Sequence, residues 1–206
     1  MRIDHVVYAV RDLDDAAELL EAEHGLTALP GGVHPRWGTA NRIAPLGRDY
    51  VELISVIDPS VAAGTVLGRT LLALTEGGDR WFSVCVADDD IDATAGRLGL
   101  VVDPGSRTRP DGAVVAWRAA GIDEPSRQLD RPFFIRWEVP PELHPGAAAA
   151  VHRSGATGIV AVEISGDADG VRDWLGGADL PIEVTPGPPG VVAVRLTTHG
   201  GELRIA

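Results

Sequence analysis

Ile3-Asp4-His5-Val6-Val7-Tyr8-Ala9-Val10-Arg11-Asp12-Leu13-Asp14-Asp15-Ala16-Ala17-Glu18-Leu19-Leu20 lies at the start of the chain and reads as a strand running into a helix. Ile3 to Val10 is rich in β-branched residues, Asp12 is an N-cap type, and Leu13, Ala16, Ala17 and Leu20 recur at i, i+3, i+4 and i+7 on one apolar face. Gly25 supplies a left-handed stop. A short extended piece, Leu26 to Leu29, follows, and Pro30-Gly31 reads as the turn that ends it.

The same order returns. Trp81 to Val86 reads as a strand, Asp90 as a cap, Ile91, Ala95 and Leu98 as an apolar face, Gly99 as the stop, Leu100 to Val102 as extended, and Pro104-Gly105 as a turn. The caps Asp12 and Asp90 lie 78 residues apart and the Pro-Gly pairs 74, so the second helix is expected to be about one turn shorter than the first. A fainter third copy has a strand from Gly158 to Ile164, a cap at Asp167, apolar Val171, Trp174 and Leu175, glycines at 176 and 177, a strand from Ile182 to Thr185 and a turn at Pro186-Gly187. Each copy closes with two further strand-like runs: Thr39 to Leu46 with Tyr50 to Ile57, Ala113 to Ala120 with Phe133 to Val139, and Val191 to Thr197 with Glu202 to Ile205. The expected fold class is therefore α+β, built of repeated βαβββ modules. The modules span residues 1–57, 81–139 and 157–206, joined by connectors at 58–80 and 140–156 and forming one compact domain. The first connector carries a short helix around Leu67 to Leu74.

Composition narrows the partners. Among 206 residues, 30 Asp and Glu against 18 Lys and Arg give a net charge of −12, which repels phosphate backbones and anionic lipid, so neither nucleic acid nor membrane is expected. No apolar run approaches the roughly 18 residues of a spanning helix, and the expected location is the cytoplasm. The single cysteine, Cys85, lies in an apolar run and reads as core; one cysteine excludes an intramolecular disulfide and a Cys-rich zinc site. No phosphate-binding P-loop or dinucleotide fingerprint occurs.

Asp4-His5-Val6-Val7-Tyr8-Ala9-Val10-Arg11-Asp12-Leu13-Asp14, with Tyr50-Val51-Glu52-Leu53-Ile54 about one module later, resembles a glyoxalase-like member of the vicinal-oxygen-chelate superfamily. His34-Pro35-Arg36-Trp37-Gly38-Thr39-Ala40-Asn41-Arg42 resembles the H-x-x-x-G-T-x-N-R signature of one glyoxalase-like subgroup, and Pro132-Phe133-Phe134-Ile135-Arg136-Trp137 resembles its Phe-Phe-Ile-x-Trp strand. The resemblance implies curved mixed sheets, with paired modules enclosing a cavity in which relatives bind a divalent metal or sequester a drug. It also implies that the first and last strands of two modules each give one metal ligand. His5 and Glu52 fill the first module's two positions. In the second module, the position paired with His5 is Ser83 by the caps or Asp79 by the turns, and the last strand offers Phe134, Arg136 and Glu138 on one alternating face.

Two completions stay open: Glu202 from the third module, giving a His5, Glu52 and Glu202 set suited to Zn, Mn, Mg or Fe(II), or His34 from the loop after Pro30-Gly31. For a small-molecule ligand, Trp37, Thr39 and Asn41 alternate on one strand face, and Trp117, Phe134, Arg136 and Trp137 complete the candidate pocket, with Arg136 placed to pair a ligand carboxylate. Each has a plainer reading: His5 as a core hydrogen-bonding residue, Asn41 as a loop tie, Arg136 as a surface ion pair. Two functions follow. One is a metal-dependent lyase, isomerase or dioxygenase acting on vicinal oxygens, with Glu52 as the proton-moving catalytic group. The other is a metal-free ligand-binding or drug-sequestering protein. A third reading has the repeated sheet mainly mediate self-association, as a homodimer.

Overall fold

The computed structural model describes residues 1–109 and 112–206. The first module comprises β1 (Arg2–Ala9), α1 (Leu13–His24), β2 (Leu29–His34), β3 (Thr39–Pro45) and β4 (Tyr50–Val56). A connector with α2 (Pro59–Ala62) and α3 (Val66–Thr75) leads to the second: β5 (Arg80–Ala87), α4 (Ile91–Leu98), β6 (Val102–Thr108), β7 (Val114–Ala120) and β8 (Phe133–Trp137). The last part holds β9 (Gly158–Ser165), α5 (Ala168–Trp174), β10 (Ile182–Thr185), β11 (Gly190–Thr198) and β12 (Gly201–Ile205).

The helix signals act as their chemistry requires. The Asp12 carboxylate accepts from the N–H groups of Asp14 and Asp15, and Gly25 ends α1 at φ 62°, donating to Leu20 and Glu21 carbonyls. Asp90 caps α4 by accepting from Ala93 N–H, and Gly99 ends it at φ 69°. The helices have 12 and 8 residues, the one-turn difference expected from the spacing. Asp167 holds the cap position of α5, but its carboxylate makes no cap bond there and faces Arg131 at 3.5 Å.

One sheet of eight strands runs β2-β3-β4-β1-β5-β8-β7-β6. Its centre is the antiparallel pair β1 and β5, and each of these lies parallel to the last strand of its own module. The ladder pairs His5 with Cys85 and Val7 with Ser83. A shift of 78 residues carries one pair into the other, so the two modules are related by an approximate two-fold in the cap register, and Ser83 is the counterpart of His5. First and second modules pair with each other through this seam.

Two expectations need correcting. Pro30-Gly31 and Pro104-Gly105 are not turns: they lie inside β2 and β6, where Pro30 pairs with Arg42 and Pro104 with Arg118. Both are edge strands, where a residue can do without the N–H that proline lacks, so the local turn preference is overridden. The last part of the chain keeps the βαβββ element order but has another strand order, β10-β9-β11-β12, in a sheet of its own.

Three apolar clusters follow from this arrangement. Val6, Val10, Val51, Leu53 and Trp81, on one face of the eight-stranded sheet, pack with α1 and with Val162, Ile164, Val194 and Leu196 of the four-stranded sheet. On the opposite face, Val7, Ala9, Ile54, Phe82, Trp117, Phe133 and Ile135 pack with Leu67 and Leu71 of α3. A third cluster joins Phe134 and Ile91 to Val171 and Leu175 near α5. The two edges of the long sheet approach each other: Gly32 of β2 lies against the Arg107 side chain of β6, and Arg36 pairs with Asp103 at 3.4 Å. The sheet thus curls into a cup with α3 against its inner face. Among the described residues, no helix is long and apolar enough to cross a membrane.

Candidate active site inside the cup

Strand alternation decides which side chains enter the cup. His5, Val7 and Ala9 of β1 face inward, as do Tyr50, Glu52 and Ile54 of β4, Asn41 of β3, Trp117 and Ala119 of β7, and Phe133, Ile135 and Trp137 of β8. Asp4 is an exception made by a bulge. The β1–β5 ladder pairs Ile3 with Val86 and His5 with Cys85, so Asp4 is one residue too many, and its side chain lies on the same side as that of His5.

A hydrogen-bonded series results. Asp4 is wholly buried, and its carboxylate accepts from His5 Nδ1 at 2.8 Å, His144 Nε2 at 3.1 Å and Trp137 Nε1 at 3.1 Å, with Arg2 NH2 at 3.2 Å. Burial alone would raise its pKa; the bonds from His144 and His5 outweigh burial and hold Asp4 far below the usual carboxylate range. The ionised Asp4 therefore takes the Nδ1–H of His5. In the neutral ring this leaves the Nε2 lone pair turned to Glu52, whose Oε2 is 3.5 Å away. Tyr50 stacks on the His5 ring at 4.4 Å, and Phe133 meets it edge-on at 5.6 Å, so the ring plane is fixed from both sides.

Glu52 is held in turn. Asn41 donates a short hydrogen bond from Nδ2 to Glu52 Oε1, and its own Oδ1 accepts from Gly32 N–H at 2.8 Å, which settles which way the amide points. A side chain at Gly31 would overlap Asn41, so glycine there is what lets β2 lie so close. His34 is buried beside this group, its Nδ1 3.1 Å from Thr39 Oγ1 and its ring edge-on to Trp37 and Trp117. Burial lowers the His34 pKa; Glu52 opposes that shift and Arg107 adds to it.

These groups surround an inner cavity of about 50 Å³, lined also by Leu67, Ile122 and Arg107. Arg107 is 7% exposed, and among the described residues its guanidinium has no hydrogen-bond or ion-pair partner. Burial lowers its pKa, while Tyr50 and Glu52 pull the other way. Glu52 is thus near enough to be felt and too far for an ion pair.

The residues present do not fit the metal centre that the resemblance implies. Two ligands, His5 and Glu52, come from the first module. The inward positions of β8 are Phe133, Ile135 and Trp137, none of which carries a metal-ligand atom, and Ser83, the counterpart of His5, accepts instead from Arg127 at 3.0 Å. Asp4, His5 and Cys85 do bring ligand atoms within 4.8 Å of one another, but four donors already occupy the Asp4 oxygens, and burial keeps the Cys85 thiol well above its ordinary pKa.

Of the residues singled out from sequence, His5, His34, Trp37, Asn41, Glu52 and Trp117 meet at the cavity, and Thr39 stands behind His34. Three do not. Phe134 faces the outer cluster with Trp174, and Arg136 is exposed on that same outer side of β8, because pairing with Cys85 turns Phe133 inward. Glu202 lies on the four-stranded sheet, exposed and paired with Arg195 at 3.3 Å. Asp4, Arg107, Tyr50 and His144 were missed. Asp4 stands next to His5 in sequence, but strand alternation puts neighbours on opposite faces, and only the bulge brings both side chains to one side.

A cupped sheet of two pseudo-symmetric βαβββ modules with a polar cluster on its inner face is the architecture of the vicinal-oxygen-chelate proteins. Residues 3–176 match the family model described as a glyoxalase-like domain, and the chain belongs to that family. Among solved structures, a hypothetical protein from Staphylococcus aureus is 15% identical, with a TM-score of 0.73, over 100% of this chain and 98% of that one; the likeness concerns the fold. A methylmalonyl-CoA epimerase from Streptomyces coelicolor in complex with 2-nitronate-propionyl-CoA is 18% identical over 68% of this chain and 99% of that one, with a TM-score of 0.48. The epimerase from Mycobacterium tuberculosis is 18% identical over 69% and 90%, with a TM-score of 0.46. No curated protein sequence matches the chain.

Proposed function

We propose that the protein is an enzyme that moves a proton on a small molecule bound inside the cup, with His5 and Glu52 as the acid–base pair and no metal in the reaction. The observation that carries this reading is the Asp4–His5–Glu52–Asn41 series, in which Nδ1 of His5 and Oε1 of Glu52 are engaged by fixed partners while Nε2 and Oε2 are left to each other at 3.5 Å. A proton taken by this pair from a carbon beside a carbonyl leaves the C–H electrons in an enolate, and an imidazolium so formed sits between two carboxylates, Asp4 and Glu52. Return of the proton to the same or a neighbouring atom completes an exchange or isomerisation with nothing gained or lost. Tyr50, Trp117 and Phe133 keep the pair dry, which strengthens each of these interactions.

The metal-dependent lyase, isomerase or dioxygenase implied by the resemblance is the weaker reading, since among the described residues the second module adds no ligand to His5 and Glu52, and His34, the cavity's other imidazole, is turned with Nδ1 to Thr39 Oγ1. The test is hydrogen exchange: short oxo acids, hydroxyketones and aryl ketones are incubated in D2O with chelator-treated protein, and loss of the C–H signal next to the carbonyl is followed by NMR. Exchange above the buffer rate that disappears in Glu52→Gln and His5→Ala is expected. Exchange no faster than buffer across the panel, or unchanged in both variants, overturns the assignment.

A further inference from the structure

We propose that Arg107 makes the cup a carboxylate site, so that the molecule it takes is a small monocarboxylic acid with a flat apolar body. This deepens the proton-transfer reading above and rests on the same cavity. A guanidinium is a planar fork of five donors, and leaving such a group buried without hydrogen bonds is costly, so the fold tolerates it where a ligand completes it. Arg107 meets that description: the residue is more than nine-tenths buried, its side chain opens only onto the inner cavity and the outer groove, and its guanidinium has no hydrogen-bond or ion-pair partner among the described residues. A second donor on the cavity wall, the Trp37 indole N–H, is also buried, with no partner among the described residues.

Arg107 also stands at a junction. It lines an outer groove of about 340 Å³ formed with Leu29, Pro30, Ile43, Arg109, Pro145 and Ala148. The inner cavity, at about 50 Å³, is far below the roughly 300 Å³ at which ordinary ligand sites begin. A molecule held by its carboxylate at the junction can extend its apolar body along Leu29, Pro30, Ile43 and Pro145 of the groove. The carboxylate then faces Glu52 across the gap that keeps Glu52 and Arg107 from pairing. Glu52, on the cavity side of the Arg107 fork, disfavours a doubly charged phosphate there, while Arg109 lines the outer groove.

The experiment is a titration of the intact protein, followed by tryptophan fluorescence and calorimetry, with benzoate, acetate, the neutral isostere benzamide and inorganic phosphate. The proteins are wild type, Arg107→Met, Arg107→Lys and, as an arginine outside the cup, Arg136→Met. Benzoate is expected to bind more tightly than benzamide, to lose about 30-fold or more in Arg107→Met, to lose less in Arg107→Lys, and to be unaffected in Arg136→Met. If Arg107→Met does not fold, Arg107→Lys, which keeps the charge and loses the fork, decides the matter. Failure of both benzoate and acetate to bind wild type, equal benzoate affinity with and without the Arg107 fork, or phosphate competing as well as benzoate overturns the proposal. Carboxylate binding that depends on Arg107 without hydrogen exchange on any substrate removes the enzymatic reading and leaves the carboxylate site. Exchange on neutral ketones that ignores Arg107 does the reverse.

Discussion

Asp4→Asn changes little in shape and much in the donor balance at the centre of the site. The carboxylate accepts from His5, His144 and Trp137 and faces Arg2, whereas an amide offers one acceptor oxygen and one NH2 group. His144 cannot relieve the conflict by turning its proton over, because its Nδ1 already accepts from Gly146 N–H at 3.0 Å. The new NH2 group therefore meets either another donor or a His5 ring whose proton has moved to Nε2, so a hydrogen bond or the fixed tautomer is lost. Hydrogen bonds to a charged partner are worth about 1.5–3 kcal/mol each, and with two weakened and the burial cost of one charge removed, a net loss of about 2–4 kcal/mol is expected. For a chain of this length each kcal/mol corresponds to about 2–4 °C, so Tm should fall by roughly 4–16 °C at pH 7.

Urea unfolding and thermal melts at several pH values measure the effect. The sign with pH follows from the depressed pKa: the stabilisation from ionised Asp4 is fully present above about 3.9, the unfolded value, and is lost as pH falls toward the lower folded value. The gap between wild type and variant should thus hold from pH 7 to about pH 5 and narrow only below about pH 4. A loss under about 1 kcal/mol, or a gap that stays constant into strong acid, would refute the view that Asp4 anchors His5 as an ion.

Asp49 behaves in the opposite sense. Burial pushes its pKa up to about 6 against the lowering effect of the Ile159 N–H bond. Its stabilising contribution is present below the unfolded value and lost as pH rises through about 6. Wild type should therefore lose stability between pH 4 and pH 7, and Asp49→Asn, whose amide oxygen can still accept from Ile159, should flatten that slope in pH-dependent melts; equal slopes would dismiss the assignment. Gly31→Ala places a methyl group on Asn41, and overpacking of that kind costs about 1–3 kcal/mol. Its circular dichroism should stay native while hydrogen exchange falls with the loss of the Asn41 bond to Glu52; full exchange in a folded variant would show that Asn41 does not position Glu52.

The first two modules were readable because caps, helix-ending glycines and apolar periods are local signals, and of the two registers left open, by caps or by turns, the β1–β5 ladder adopts that of the caps. What was misread had a common origin in pairing, which is not local. Pro104-Gly105 looked like a turn, so the strand continuing to Thr108 was not extended, and Arg107 on it went unnoticed. The side on which Phe133 and Phe134 face is set by the partner Cys85, and a five-residue strand has too few alternations to reveal it. Glu202 resembled Glu52 in its local run but belongs to a sheet with another strand order. His144 sits in a proline-rich connector, 140 positions from the carboxylate it touches.

The extra residue in β1 has a consequence for how such a site could be moved between proteins. Most orienting carboxylates reach their histidine from another segment of the chain, so transplanting the pair means reproducing a tertiary contact. Here the two are consecutive, Asp4 then His5, and the backbone irregularity that turns them to one side is part of the same short word. An engineer wishing to install a tautomer-fixed imidazole in an unrelated barrel would need a single inserted aspartate and a neighbouring strand that accommodates the bulge, rather than a second graft at a distance.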